Sequence, residues 1–269
     1  MSVALLRATI RTNWWILAIF TVVSLLYLLL ILGMYDEGNM QFIESSVQTL
    51  PPGLSAAVGM DTVPTSLTDF AATYFYRFLV QLFLTVHVAI VPIRLVVSYV
   101  DRGAMSYLLS TPNSRTTVAG TQALYLVASL AVMAIVLTTV GAAFCAMVQP
   151  GLLDLGAFVQ LNVAVFLLSV ALAAVTFFFS CACNEARTAI VASTTILVGF
   201  FVVSVIARIG HGEGIYGIID HFSIYYLVKV RAIVDGEGNL LLGTALLTLI
   251  GTAGIGGGLL VFSRKDLPL

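Results

Sequence analysis

The residues in this sequence able to do chemistry are few and scattered. The string Gly251-Thr252-Ala253-Gly254-Ile255-Gly256-Gly257-Gly258 has the glycine spacing of a phosphate-binding loop, but Gly257 stands where a lysine must reach the phosphates. It also lies inside an apolar run, where it reads as a small-residue surface for close helix packing. Cys145, Cys181 and Cys183 fall within or at the ends of apolar stretches, which gives neither a disulfide framework nor a zinc site. A hydrolytic centre needs a His clustered with Asp, Glu or Ser, and His87 stands alone in its run. These absences predict a chain with no catalytic residues, no metal and no cofactor of its own.

The other polar residues within or beside apolar runs have two readings each. Gln81 and His87 are candidates to line a polar path, or to hydrogen-bond a neighbouring helix. Arg77 and Arg94 lie near the two ends of their run, where long side chains can snorkel to water. Glu185 and Arg187 occupy a short turn, as a local ion pair or as a contact with a partner protein. Phe177-Phe178-Phe179 points in several directions around a helix and reads as lipid contact or packing, with a hydrophobic gate as the sharper alternative.

One segment holds more information. From Asp101 to Arg115 the sequence reads Asp-Arg-Gly-Ala-Met-Ser-Tyr-Leu-Leu-Ser-Thr-Pro-Asn-Ser-Arg. Met105, Leu108 and Leu109 share one helical face, and Pro112 should stop the helix near Thr111. A short amphipathic helix of this kind either inserts an apolar knob into a partner's groove or merely reconnects two spans.

The elements that must position these residues follow from composition. Of 269 residues 60% are hydrophobic and 9% are Asp, Glu, Lys or Arg, against roughly 45–50% and about 25% in soluble domains. So few charges cannot cover a water-exposed surface. The apolar runs reach about 20 residues, enough to span a hydrocarbon core of roughly 30 Å, and they are too continuous for the alternating strands of a membrane barrel. An all-α membrane protein follows, a single transmembrane domain over 1–269. Six spans are predicted at Trp14–Met34, Tyr74–Tyr99, Val118–Val148, Leu155–Cys183, Ala186–Ala207 and Leu240–Phe262. Residues 1–13 suit a short interfacial helix, with Leu5, Leu6, Thr9 and Ile10 on one side and Arg7 and Arg11 on another. The first run is too long for a secretory signal and is read as a retained helix. The segment 211–239 is long enough to cross but carries Asp220, His221, Lys229 and Arg231, and burial would cost about 2.5–3.5 kcal/mol for each charge. It is expected as re-entrant or interfacial outer helices between spans five and six.

Charge decides the orientation. With the N-terminus cytoplasmic, the inner segments hold Arg7, Arg11, Arg102, Arg115, Arg187, Arg264 and Lys265 against Asp101, Glu185 and Asp266. The outer loops hold ten acidic residues, and their only basic ones, Arg208, Lys229 and Arg231, belong to the last loop. The positive-inside rule then places both termini in the cytoplasm.

With this topology the segment after span two resembles the signature of ABC-2 type transporter permeases, in which an acidic residue, a Gly, a pair of leucines, a Pro and an Arg recur in order. Asp101, Gly103, Leu108, Leu109, Pro112 and Arg115 match; Asp101 stands where Glu is frequent and Ala104 where Thr is. Leu50-Pro51-Pro52-Gly53-Leu54 with Gly59 is similar to the family's first outer loop, and Phe262 to Leu267 to its C-terminus. The resemblance implies a cytoplasmic coupling helix at 101–115, between helices 2 and 3, that docks on a separate ATP-binding cassette ATPase, with Met105 on its apolar face and Glu185 and Arg187 as a second contact. It implies ATP and Mg on that partner subunit, a second permease chain, a multi-pass place in a prokaryotic plasma membrane, and probable work as an exporter; no nucleic acid is involved. The alternative is a stand-alone secondary transporter or channel, against which stand the lack of a mid-membrane carboxylate and of an internal repeat.

The topology is directly measurable. Single cysteines placed at Glu44 and Asp220, in a background lacking the three native ones, should label from outside intact cells, while those at Arg115 and Lys265 should not. Labelling at 115 would overturn the orientation.

Overall fold

Away from water each backbone N–H and C=O must be satisfied within the chain, so long apolar runs become helices. The computed structural model describes residues 2–36, 45, 47, 49, 51–60, 63–109, 114–210, 214–236 and 240–265, and among these the regular elements are all helical. In chain order they are α1 (Val3–Gly33), α2 (Pro52–Val58), α3 (Leu67–Ala71) running into a π turn (Ala72–Tyr76), α4 (Leu79–Leu95), α5 (Val97–Asp101) and α6 (Ala104–Leu109). Then follow α7 (Arg115–Val148), α8 (Leu155–Ala182), α9 (Ala186–Ile209), α10 (Ile215–Asp220), a 3-10 turn (Ile224–Leu227), α11 (Val230–Val234) and α12 (Leu240–Arg264). Five helices, α1, α7, α8, α9 and α12, are long and apolar enough to cross a bilayer. The pair Leu67–Tyr76 and Leu79–Leu95, bent by 42°, passes the same test together and counts as a sixth when taken as one broken span. The chain is an all-α, multi-pass membrane protein.

Helix starts are capped by side chains that the sequence supplies at the right places. Ser2, Ser114 and Asp154 each accept a backbone N–H of the first turn of α1, α7 and α8, which satisfies donors a helix otherwise leaves orphaned. Ser66 and Asp69 do so reciprocally: Asp69 N–H donates to Ser66 Oγ at 3.1 Å and Thr65 N–H to Asp69 Oδ2 at 3.0 Å.

Two expected elements differ. Residues 1–13 do not form a separate interfacial helix; α1 is continuous from Val3 to Gly33. No glycine or proline interrupts it, and its first turns pack on α7 through polar contacts: Ser2 N–H reaches Thr121 Oγ1 at 3.4 Å, and Thr9 Oγ1 donates to Gln122 Oε1 at 3.3 Å, with Thr9 and Gln122 both buried. The second span, expected as one helix over Tyr74–Tyr99, is broken twice, at Arg77–Phe78 and at Val96.

The centre of the bundle is α8. Its most apolar stretch is 61% buried, against 22–39% for the other four uninterrupted spans. It contacts α4, α7, α9, α11 and α12, and its closest neighbour is α12. That contact explains the glycines: a Cβ at Gly254 would lie 2.9 Å from the Ala174 Cβ, and one at Gly251 3.1 Å from Val170. The two helices run parallel, Gly251 beside Ala171 and Gly254 beside Ala174. The glycine string is thus the packing surface read from sequence.

A large residue at Gly254 should therefore prise α12 from α8. Gly254→Leu is expected to destabilise the chain by about 1–3 kcal/mol, whereas Gly256→Leu, where a side chain meets nothing within 4 Å, should be tolerated. Thermal unfolding in detergent distinguishes the two, and equal effects would refute the assignment.

Candidate functional site

Both described ends of the chain meet at one end of the bundle. Lys265 Nζ donates to the Cys181 carbonyl at 3.1 Å and also to that of Cys183, capping the end of α8, while Arg115 donates to the Lys265 carbonyl. Burial lowers the Lys265 amine below its ordinary value. Ser2 lies here too, against α7. Glu185 and Arg187, at the start of α9, are exposed; they do not pair as a local ion pair, since Glu185 Oε2 accepts from Thr188 Oγ1 at 3.4 Å.

The segment 101–115 lies at this same end. After α5, Gly103 takes φ +68, a conformation that strains any residue with a Cβ, and so turns the chain into α6. Asp101, Arg102 and Gly103 are exposed. On the apolar face of α6, Met105 is 3% exposed in the chain's own core and Leu108 packs against that core, while Tyr107 is 79% exposed. Met105 and Leu108 therefore seat the helix on the chain's own core. The Leu109 side chain and Pro112 lie outside the described residues. Arg115 is committed to the Lys265 carbonyl.

What holds α6 in place is the second break of span two. α4 ends at Leu95 and Val96 leaves the helical conformation, so the Pro92 carbonyl and the Val97 N–H lose their partners within the helix. Ser180 of α8 bridges the gap: its hydroxyl donates to the Pro92 carbonyl at 2.8 Å and accepts the Val97 N–H at 3.0 Å. One buried serine thus serves both a freed acceptor and a freed donor.

The first break is bridged by arginines. The π turn closes with Arg77 N–H on the Ala72 carbonyl at 3.0 Å. Arg208, in the last turn of α9, donates to the Arg77 carbonyl at 2.6 Å, to Gln81 Oε1 at 2.7 Å and to Ser204 Oγ at 3.1 Å. Arg77 in turn donates to the Gly59 carbonyl at 3.1 Å, which ties the C-terminus of α2 to the break. Gly59, at φ +79, is obligatory, because a Cβ there would lie 2.6 Å from Arg77 Cδ. Snorkelling does not describe Arg77: its guanidinium holds backbone.

Gln81 and His87 are both buried, but they are not brought together as a path. Gln81 is occupied with Arg208. The His87 ring packs edge-on against Phe20, centroids 4.9 Å apart, and neither ring nitrogen has a hydrogen-bond partner. Neither residue lines the larger pockets. One of these, about 380 Å³, is an apolar groove between α7 and α8 lined by Ala131, Ile135, Val159, Val163 and Phe166 beside the buried Asn162.

The segment between α9 and α12 folds inward at the end opposite the termini. Ile224, Tyr225, Val230 and Ile233 join the core, Tyr225 hydrogen-bonds Thr85 of α4, and Ser223 Oγ donates to the Phe200 carbonyl at 2.9 Å. Ahead of them α10 leaves Ile215, Ile218 and the following Phe222 more than half exposed. Burial raises the Asp220 carboxyl, with Arg208, His221 and Lys229 opposing.

A scan against protein-family models and a search of curated proteins found no match for this chain.

Ser180 and Arg208 carried no sequence signal beyond residue type; what called for them is the pair of breaks. Arg208→Met leaves the Arg77 carbonyl and Gln81 without their donor, and a loss of about 2–3 kcal/mol is expected. Arg208→Lys should recover little of it, because an ammonium on a flexible stem cannot reproduce the fork that reaches three acceptors. Unfolding midpoints of both variants in detergent provide the check; full recovery by lysine would show that charge alone matters.

Proposed function

We propose that the chain is the membrane-embedded permease subunit of an ATP-binding cassette transporter, most consistent with an exporter, driven by a separate ATPase that binds the end of the bundle carrying Ser2, Lys265 and α6. The observation that carries this reading is the exposed Asp101-Arg102-Gly103 turn followed by a helix whose buried residues seat it on its own chain and whose Tyr107 projects. A short helix held by a break-and-stitch junction, with an exposed aromatic, is suited to entering a partner's groove, since aromatic residues dominate interface energetics. The basic residues gathered at this end make it the cytoplasmic one under the positive-inside rule, which places the far-end segment 211–239 outside, and the site in a cell membrane. In this reading ATP and Mg belong to the partner.

Alternating access then requires a second permease chain. The α1 face with Ile19, Val22, Val23, Leu26 and Leu30 and the α9 face with Val191, Val198 and Val202 are exposed and apolar, and either meets lipid or a second copy. An apolar groove between α7 and α8 and few buried charges favour an amphipathic or lipid-like cargo. The secondary-transporter reading gains nothing from His87, which packs against Phe20 and lines neither of the two pockets described.

An ATPase reading frame beside this gene is the first expected observation. Co-expressed with that ATPase, the wild-type chain should co-purify with it, and Tyr107→Asp should weaken the complex about 30-fold, the loss of a hot spot worth about 2 kcal/mol. The variant's own unfolding midpoint, measured beside it, separates a weakened interface from a weakened chain. An unchanged complex with an unchanged midpoint would reduce the segment to a connector and remove the main support for the reading.

A further inference from the structure

Beside α6, between α1, α4 and α5, lies a second pocket of about 230 Å³, lined by Thr12, Asn13, Arg94, Ser98, Tyr99 and Arg102. It contains two arginines and no carboxylate among its lining residues. Asn13, buried, fixes one of them: its amide donates to the Thr9 carbonyl at 3.1 Å and its oxygen accepts Arg94 Nε at 3.4 Å. The Arg94 guanidinium also lies over the Trp15 ring, 5.5 Å from its centroid. Held by Nε and by the ring face, Arg94 keeps its terminal nitrogens available, the pair that binds phosphate in a fork. Arg102 is exposed at the turn before α6.

The level of this pocket in the bilayer follows from α1. Trp15 stands 18 residues before Gly33 on an unbroken helix, roughly 27 Å at 1.5 Å per residue. That nearly matches the hydrocarbon thickness of roughly 30 Å, so Trp15 sits at the boundary facing the terminal end. Trp14 and Trp15 are 59% and 45% exposed, the amphipathic ring expected at headgroup depth. A basic pocket at that depth, with Ser98, Tyr99 and Thr12 hydroxyls beside two guanidinium groups, has the chemistry of a phosphodiester.

We propose that this pocket binds the phosphate headgroup of an anionic phospholipid from the adjoining leaflet, Arg94 and Arg102 holding the phosphate and Trp15 lying along the glycerol region. The bound lipid sits against α4, α5 and the turn into α6, so it ties membrane composition to the position of α6. The site stands on the bundle's geometry and does not require the transporter reading.

The test is native mass spectrometry of the purified full chain in neutral detergent, titrated with phosphatidylglycerol or phosphatidylcholine. One phosphatidylglycerol should be retained in clear preference to phosphatidylcholine. Each arginine lost near a membrane surface should weaken binding about fivefold: Arg102→Gln by that factor, and Arg94→Gln with Arg102→Gln by roughly 30-fold, whereas Arg7→Gln on the exposed part of α1 should leave it unchanged. If the double variant does not fold, the single Arg102→Gln variant, altered only at an exposed turn, decides the matter. Equal affinity for the two lipids, or wild-type affinity in the folded variants, would overturn the proposal. So would displacement of the lipid by millimolar inorganic phosphate, which would make this a site for a free anion.

Discussion

The constraint that organises this structure is the satisfaction of backbone groups where no water reaches. An unbroken helix meets it alone, and five spans do. The second span does not: a π turn and a distorted residue, Phe78, interrupt it near one end and Val96 near the other, and each interruption exposes carbonyl or amide groups inside the bundle. Their partners come from other helices, Arg208 from α9 and Ser180 from α8. A buried unsatisfied polar group costs about 1–3 kcal/mol, so neither helix can move away from the second span without loss. The breaks thereby determine which helices must stay together.

Because both partners lie on helices that α4 already touches, the chain forms one connected assembly around α8. Along one side α12 approaches closely through glycines; along another α4 is pinned by Ser180. At the terminal end Lys265 closes α12 onto the end of α8, and Arg115 joins the start of α7 to the same point. The short helix α6 hangs from this junction by Met105 and Leu108. In the transporter reading, a displacement of α6 by a partner meets a rigid attachment at Val97 and Ser180, and so is passed to α4 and α8 together, with little absorbed by a flexible loop.

The legible part of this architecture was the part governed by composition. Spans of about 20 apolar residues, capped by Ser or Asp and separated by polar turns, specify helices and their approximate ends: the run read as Leu155–Cys183 is α8, Leu155–Ala182. The glycine spacing in α12 specified a close contact but not its partner. The helix start at 1–13 is not separate because its amphipathicity looks the same whether the side with Leu5, Leu6 and Thr9 meets lipid or a neighbouring helix, here α7, while Arg7 and Arg11 stay exposed. For α6 the periodicity of Met105, Leu108 and Leu109 identifies a face without saying which surface covers it; Met105 lies in the chain's own core. Nothing in the sequence distinguishes Ser180 from the other serines of the spans as the complement of the break at Val96.

The arginines at the two ends of the second span illustrate why charge placement near a membrane resists reading by position alone. Both satisfy the snorkelling rule in depth, yet Arg77 spends its guanidinium on the Gly59 carbonyl while Arg94 is held by Asn13 and Trp15 with its terminal nitrogens left over. The difference lies in what surrounds them. Around Arg77 the helix break supplies an orphaned carbonyl that draws in Arg208, so two like charges are tolerated because each is bound to oxygen acceptors. Around Arg94 the carbonyl freed by the second break, that of Pro92, is taken by Ser180, so it does not draw in the guanidinium. A charge that a local break would otherwise consume is therefore left for a ligand where another side chain satisfies the break. By that argument the end of the second span bridged by Ser180, and not the end bridged by arginines, is the end where an external anion can be held.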